Sequence, residues 1–230
     1  LEGTTVELMK MGEPGVPTLD AFLDSKLVKG DKLGFDGRVV SMDEGSLYEG
    51  IALKHGGCIE YSLDLIDEIW TDRPPLSEKP AFELDVKYAG KTVADKLSDI
   101  REKMAAAEAD MHVVTTIDDI CWTLNIRGDD IDFFPLILSY ALMDDKAYHL
   151  YIDERKLSDE IKAHLTADGV VLHPYNDIYE DIKHIPADAK LMLDASKVNY
   201  AMFCNIPDSV KKIDVMNPEM IFKNVKNPVE

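Results

Sequence analysis

An α/β fold built on a mixed sheet is what this 230-residue sequence predicts, and three observations carry that reading. From Thr92 onward, short apolar runs alternate with amphipathic stretches of helical period, the pattern of strands covered by helices. Two strand-like runs, "LILSYALM" and "AYHLYID", are separated only by Asp144-Asp145-Lys146, a hairpin-like connection that makes the sheet mixed rather than parallel. Hydrophobic residues make up 46% and charged residues 30%, the balance of a soluble globular protein.

Glycine and proline divide the chain. "MGEPGVPT" (11–18) reads as a turn-rich loop ending in a helix start at Thr18. "TLDAFLDSKL" then places Leu19, Phe22, Leu23 and Leu27 on one helical face. In "LGFDGRVVS", Asp36-Gly37 marks either a tight hairpin or a turn at a strand edge. A helix capped near Ser41 runs until Gly56 and Gly57 stop it. "CIEYS" reads as a strand and Asp64–Trp70 as a short helix. Prolines at 74, 75 and 80 preclude regular structure, so the linker falls around Asp72–Lys91, with Ala81–Val86 as a last strand of the first unit.

The second unit opens with a strong helix. Thr92 and Asp95 form a capping box, and Val93, Leu97, Ile100 and Met104 line one face. Strand "MHVVTT" follows, then a helix capped by Thr116 with Asp118 and Asp119 in its first turn, where the helix dipole favours acids. After the hairpin, helix "SDEIKAHL", strand "VVLH", helix "DIYEDIKHI", strand "AKLMLD", helix "VNYAMFCNI" and strand "KKIDVM" alternate. The last residues, "KNPVE", carry helix-start signals: Asn227 as cap, Pro228 at the first position, Glu230 three residues after the cap.

Composition excludes several classes. The net charge is −19, with 9 basic against 18 acidic residues in 1–90 and 16 against 26 in 91–230. Acidity on both halves disfavours nucleic acid. No apolar run is long enough to span a bilayer. Cys58, Cys121 and Cys204 form no C-x-x-C and read as reduced, buried thiols of a cytoplasmic protein. None of the six histidines lies in a metal-binding motif; His112, His149 and His173 read as structural. Phosphate-cradle and hydrolase-elbow glycine patterns are absent. Adjacent acids point about 100° apart on a helix, so Asp118-Asp119 is no metal well.

"NIRGDDIDFFP" (125–135) resists a bland reading. Arg127 beside Gly128 at a helix C-terminus can simply complement the dipole. It can also project a guanidinium into a cleft to hold a carboxylate or carbonyl.

Seven stretches in order, "ELMKMGEPGVPT", "LGFDGRVVS", "DLIDEIWTDRPPLS", "YAGKTVADKLSDIREKM", "TTIDDICWTLNIRGDDI", "LSYALM" and "KNPVE", resemble the three-domain aminopeptidase P (Xaa-Pro aminopeptidase) of the creatinase/prolidase group. The resemblance covers nearly the whole chain and implies a helix at "ELMKMG" (7–12). It implies two creatinase N-terminal-like α/β domains, an incomplete first over 1–87 and a second over 88–224, with 225–230 starting a catalytic "pita-bread" domain. That missing domain would hold two manganese ions; no cofactor is expected in residues 1–230. The implied activity of the whole protein is metal-dependent removal of an N-terminal residue preceding proline. Residues 1–230 would be catalytically inactive by themselves, shaping substrate access and homo-oligomer contacts. Expected partners are the catalytic domain and peptides with proline at the second position, with no nucleic acid and no membrane. Asn125, Arg127 and Gly128 match the family's N-L-R-G segment and are carried over as substrate-binding. Phe134 precedes Pro135 where the family often has Asn. The alternative is a peptide- or protein-binding module from a relative that has lost catalysis; the acidity fits it, the N-I-R-G loop less so.

Overall fold

The computed structural model describes residue 1 and residues 3–229. The N-terminal unit runs α1 (Leu19–Lys26), β1 (Lys32–Gly34), α2 (Met42–Lys54), β2 (Cys58–Glu60) and α3 (Leu65–Ile69). β1 and β2 pair in parallel, Leu33 opposite Ile59, with α2 as the crossover. Parallel neighbours cannot share a tight hairpin, so Asp36-Gly37 is the strand-edge turn. There Gly37 donates its N–H to the Tyr61 carbonyl at 2.9 Å, and Asp36 Oδ1 accepts from the Arg38 N–H. Each helix starts where a side chain can satisfy its free N–H groups. Thr18 accepts from Ala21, Ser41 and Glu44 form a complete capping box, and Asp64 accepts from Ile66 and Asp67.

Residues 7–12 are not helical, contrary to the sequence reading. The segment is exposed throughout, so no packing against a core offsets the cost of nucleating a helix there, and the left-handed Gly12 (φ 101°) turns the chain away. The apolar face of α1 is only half covered: Phe22, Leu23 and Leu27 are half-buried and Leu19 is exposed.

A proline-rich strap leads to the second unit. Its elements are β3 (Phe82–Glu83), α4 (Val86–Ala89), α5 (Val93–Ala106), β4 (Met111–Val114), α6 (Ile117–Thr123), β5 (Ile126–Arg127), β6 (Ser139–Met143), β7 (Tyr148–Ile152), α7 (Asp159–Ala167), β8 (Val170–His173), α8 (Ile178–Asp181), β9 (Lys190–Leu193), α9 (Tyr200–Asn205), β10 (Lys211–Asp214) and α10 (Pro218–Asn224). Six strands form a mixed sheet in the order β10-β9-β4-β6-β7-β8. β4 and β6 pair antiparallel, as do β6 and β7; the other three pairings are parallel. Side chains alternate between the two faces of a strand. Val114, Met143, Leu150 and Met192 therefore face one core with Leu97, Ile100 and Leu165, while Val113, Leu142, Tyr151 and Leu191 face another with Ile178, Ile182 and Met202. Both faces being covered explains why these strands read as continuous apolar runs. Burying a side chain such as Leu97 or Ile100 contributes on the order of 2 kcal/mol.

β3 pairs antiparallel with β5, Phe82 opposite Arg127. The Ala81–Val86 strand thus hydrogen-bonds to the second unit, where the sequence reading assigned it to the first. The two units meet along α2 and α9. Met42 donates to the Val198 carbonyl and Tyr200 to the Val40 carbonyl, each at 2.8 Å. Gly45 lets Tyr200 lie against α2; a Cβ there would stand 2.2 Å from the ring. Tyr200 donates to Glu49 Oε2 at 2.9 Å and packs edge-on against Phe35 and Tyr61.

Candidate functional site

The segment Asn125–Gly128 leaves the C-terminus of α6 through a left-handed residue. Asn125 has φ 53° and is 5% exposed. Asn tolerates that conformation better than most residues because its short amide bonds locally. In this segment the amide is held from both sides: Nδ2 donates to the Lys91 carbonyl at 2.9 Å, and Oδ1 accepts from Lys96 Nζ at 2.6 Å. The Leu84 N–H donates to the Asn125 carbonyl at 2.7 Å, tying the segment to β3.

Lys96 is 1% exposed. Its ammonium also donates to the Trp122 carbonyl at 2.6 Å and lies 4.2 Å from the centre of the Trp122 ring. A buried ammonium needs such partners to offset its lost hydration. Sequence reasoning missed it, although a signal existed: Lys96 lies three residues after Val93 and four before Ile100, on the apolar face of α5.

Arg127 is half-buried, and its Nη1 donates to the carbonyls of Cys121 at 2.7 Å and Ile126 at 2.9 Å. It therefore caps one carbonyl in the last turn of α6, the dipole-complementing arrangement, and one in β5. Gly128 is required by space: a Cβ would stand 2.9 Å from Ile137 Cβ and 3.1 Å from the Leu136 carbonyl. Beyond it, the Leu138 N–H donates to Asp130 Oδ2 at 2.7 Å, and the same oxygen accepts from buried Lys156 Nζ at 2.7 Å. The loop then presents Phe133, 99% exposed with φ 69°, and Phe134, 61% exposed. So the structure brings Asn125, Arg127 and Gly128 together on one rigid segment, with two aromatic rings at its tip.

A second polar group lies behind α6. Thr116 stands at the cap position but its side chain makes no capping bond; it donates to Asp119 and accepts from Asn217 Nδ2 at 3.1 Å. Asp119 is fully buried and accepts from Lys223 Nζ at 2.5 Å, while Asp118 pairs with the same ammonium outside. The pair on α6 thus anchors α10, beyond the dipole role the sequence suggested. Deeper in, His112 and Glu219 are both fully buried, with Nε2 3.3 Å from Oε2. Burial opposes a charged ring, but the Glu219 carboxylate prevails and raises the His112 pKa. Burial raises the Asp119 pKa against the pull of Lys223.

The remaining histidines are satisfied by neighbours. His149 and His173, 24 residues apart, meet on β7 and β8 at 2.9 Å, a pairing sequence spacing does not reveal. Cys121 is buried, but Cys58 and Cys204 are exposed, correcting the expectation of three buried thiols. Asn227 Oδ1 accepts from the Val229 N–H at 2.8 Å, as a cap would; Glu230 lies outside the described residues. Among the described residues, no group of three or more His, Cys, Asp or Glu side chains could hold a metal ion, and no helix is long and apolar enough to cross a membrane.

Comparison with known proteins follows the same outline. Residues 72–230 match the creatinase/prolidase N-terminal domain model. The sequence is 32% identical over 225 residues to the probable Xaa-Pro aminopeptidase P of Neurospora crassa, covering 96% of this chain and 33% of that protein. It is 34% identical over 222 residues to Xaa-Pro aminopeptidase app-1 of Caenorhabditis elegans, covering 93% and 36%. The fold superposes on the crystal structure of the X-prolyl aminopeptidase from C. elegans, described as a cytosolic enzyme with a di-nuclear active site. The TM-score is 0.91 at 32% identity, over 97% of this chain and 37% of that one. The chain spans about a third of the length of the curated relatives it matches.

Proposed function

Because the chain belongs to the creatinase/prolidase N-terminal domain family, we propose that it is the non-catalytic N-terminal region of a metal-dependent aminopeptidase that removes an N-terminal residue preceding proline. Support comes from the agreement in fold and sequence with the X-prolyl aminopeptidase of C. elegans along nearly the whole chain. In this reading residues 1–87 form the later part of one creatinase-like domain and 88–224 a second, with the strand at Phe82–Glu83 reaching across the boundary to pair with the second. Residues from 225 onward lead into a catalytic domain holding two manganese ions, in a cytoplasmic homo-oligomer. The donor set among the described residues does not fit a di-nuclear centre, so no chemical step is assigned to them.

The role assigned to them is to shape access for peptides with proline in second place. The Asn125–Gly128 segment forms a wall of the substrate cleft and restrains the peptide's N-terminal side. The single observation that carries this is the clamped left-handed turn at Asn125. A residue held in a sparsely populated conformation by a buried ammonium and a carbonyl is over-determined, as functional loops tend to be. Asn125 acts from beneath by fixing the turn. Arg127 acts by fixing the end of α6, and Gly128 by letting the loop lie close to Ile137.

The test is kinetic. In the whole enzyme, Arg127→Ala raises KM for an Xaa-Pro peptide about tenfold or more while metal content is unchanged; unaltered kinetics would sink the assignment. Separately, the 230-residue chain supplied with manganese releases no residue from such a peptide, and clear turnover would overturn the non-catalytic role.

A further inference from the structure

We propose that a cleft of 290 Å³ outside the carboxyl ends of β4 and β9 binds a small phosphate monoester on a hydroxylated body, a sugar or polyol phosphate. The topology of the sheet puts a crevice at this place. β4 and β9 are parallel neighbours, yet the chain leaves them in opposite directions. β4 continues towards β6 through α6, whose Ile120 and Cys121 pack in one core. β9 continues to β10 through α9, whose Met202 packs in the core on the other face. Open α/β sheets bind ligands outside the carboxyl ends of their strands at such a switch point. Thr115, the residue after β4, lines the cleft with Ser196 and Lys197 from the loop after β9. Thr115 Oγ1 bridges the two loops by donating to the Lys197 carbonyl at 2.8 Å. The N-terminal unit completes the cleft with Arg38 and Ser41, from the turn between β1 and α2.

Arg38 carries the unused donors. Its backbone N–H is held at 2.8 Å by Asp36 Oδ1, and its guanidinium carbon lies 4.5 Å from the centre of the Tyr179 ring. Stacking on the ring orients the guanidinium, whose N–H groups have no hydrogen-bond or ion-pair partner among the described residues. The Lys197 ammonium likewise forms no ion pair among them. The one carboxylate lining the cleft, Glu44, is engaged in the cap of α2, where Oε2 accepts from Ser41 Oγ at 3.1 Å. A phosphate monoester offers three terminal oxygens, enough for a bidentate pair with Arg38 and a further bond to Lys197. A carboxylate would be used up by the guanidinium fork alone.

The hydroxyl groups around the two cations set the rest of the ligand. Thr115 gives its hydrogen to the Lys197 carbonyl, and Ser196 gives its own to Asp194 Oδ1 at 2.6 Å. Both therefore present lone pairs to the cleft, which accept from ligand hydroxyls and repel a second anionic group. Asp194, outside the lining, adds to that repulsion. The volume lies near the lower end of small-molecule pockets and suits a single sugar ring.

The experiment is calorimetric titration of the 230-residue chain with glucose 6-phosphate, with inorganic phosphate and glucose as the two halves of the probe. Glucose 6-phosphate binds saturably, inorganic phosphate about tenfold more weakly, and glucose without measurable heat. Arg38→Met and Lys197→Met each weaken the ester about tenfold, the loss of a charge-assisted bond, with an unchanged thermal midpoint. Lys183→Met, which removes a cation outside the cleft, leaves binding as it was. Shifts of the Thr115 and Lys197 amide resonances, read by NMR on the unsubstituted chain, locate the ligand without relying on any variant. No saturable binding of glucose 6-phosphate, equal affinity for inorganic phosphate, or a loss in Arg38→Met no greater than in Lys183→Met would each overturn the site.

Discussion

Lys96 Nζ donates to Asn125 Oδ1 at 2.6 Å across 29 residues of sequence, and both side chains are buried. One bond thus joins the long helix of the second unit to the turn that positions the candidate site. Its removal by Lys96→Met keeps the volume but leaves the Asn125 oxygen and the Trp122 carbonyl short of a donor. Hydrogen bonds to charged groups contribute about 1.5–3 kcal/mol each, so a loss of roughly 2–4 kcal/mol is expected in urea unfolding. A variant as stable as the parent would show the bond to be dispensable.

The turn itself leads to a second prediction. Asn125→Ala loses both amide bonds and places a Cβ at φ 53°, whereas Asn125→Gly loses the bonds alone. A left-handed non-glycine residue costs about 1–2 kcal/mol, so the glycine variant should be the more stable of the two by about that amount. Equal midpoints in chemical denaturation would mean that backbone strain at this position is negligible.

Gly128→Ala tests whether the loop must lie against Ile137. The added methyl meets Ile137 Cβ and the Leu136 carbonyl, and backbone has little freedom to retreat. Overpacking of this kind costs about 1–3 kcal/mol and shifts the loop. Thermal unfolding reads the loss.

Buried His112 makes stability depend on pH in a stated direction. Glu219 raises the folded-state pKa of the ring above its ordinary 6.5 despite burial. The folded state therefore holds the proton more tightly than the unfolded chain. The contribution is complete below the unfolded value and is lost as pH rises through the folded one. Between pH 6.5 and that higher value the wild-type chain should lose stability, and His112→Gln should remove this slope while lowering stability overall. A parallel pH profile for the two proteins, measured by urea midpoints, would refute it.

Much of this architecture could be read in advance, and the exceptions share a cause. The helix over Val93–Ala106 was legible because four buried apolar residues recur at helical spacing and Thr92 caps it. The hairpin β6–β7 was legible because its connection is short and polar. Asn217-Pro218 carries the same start signature noted at Asn227-Pro228, and it begins α10, which periodicity over so short a segment does not reveal. Lys96, Asp119, His112 and Glu219 were hidden because burial of a charge is a property of the partner, and each partner lies 26 to 107 residues away. At the candidate site, the residue types in "NIRG" were conspicuous, but the direction of the Arg127 guanidinium was not. That depends on where the end of α6 places its carbonyls.

The close approach of Gly45 to Tyr200 has a consequence for exchanging parts between relatives. A donor segment carrying any β-carbon at position 45 would collide with a recipient that keeps the tyrosine, however well each half folds by itself. Chimeras cut anywhere between these positions should therefore inherit glycine and tyrosine as a matched set. Soluble yield of mixed and matched hybrids would measure how strict that inheritance is.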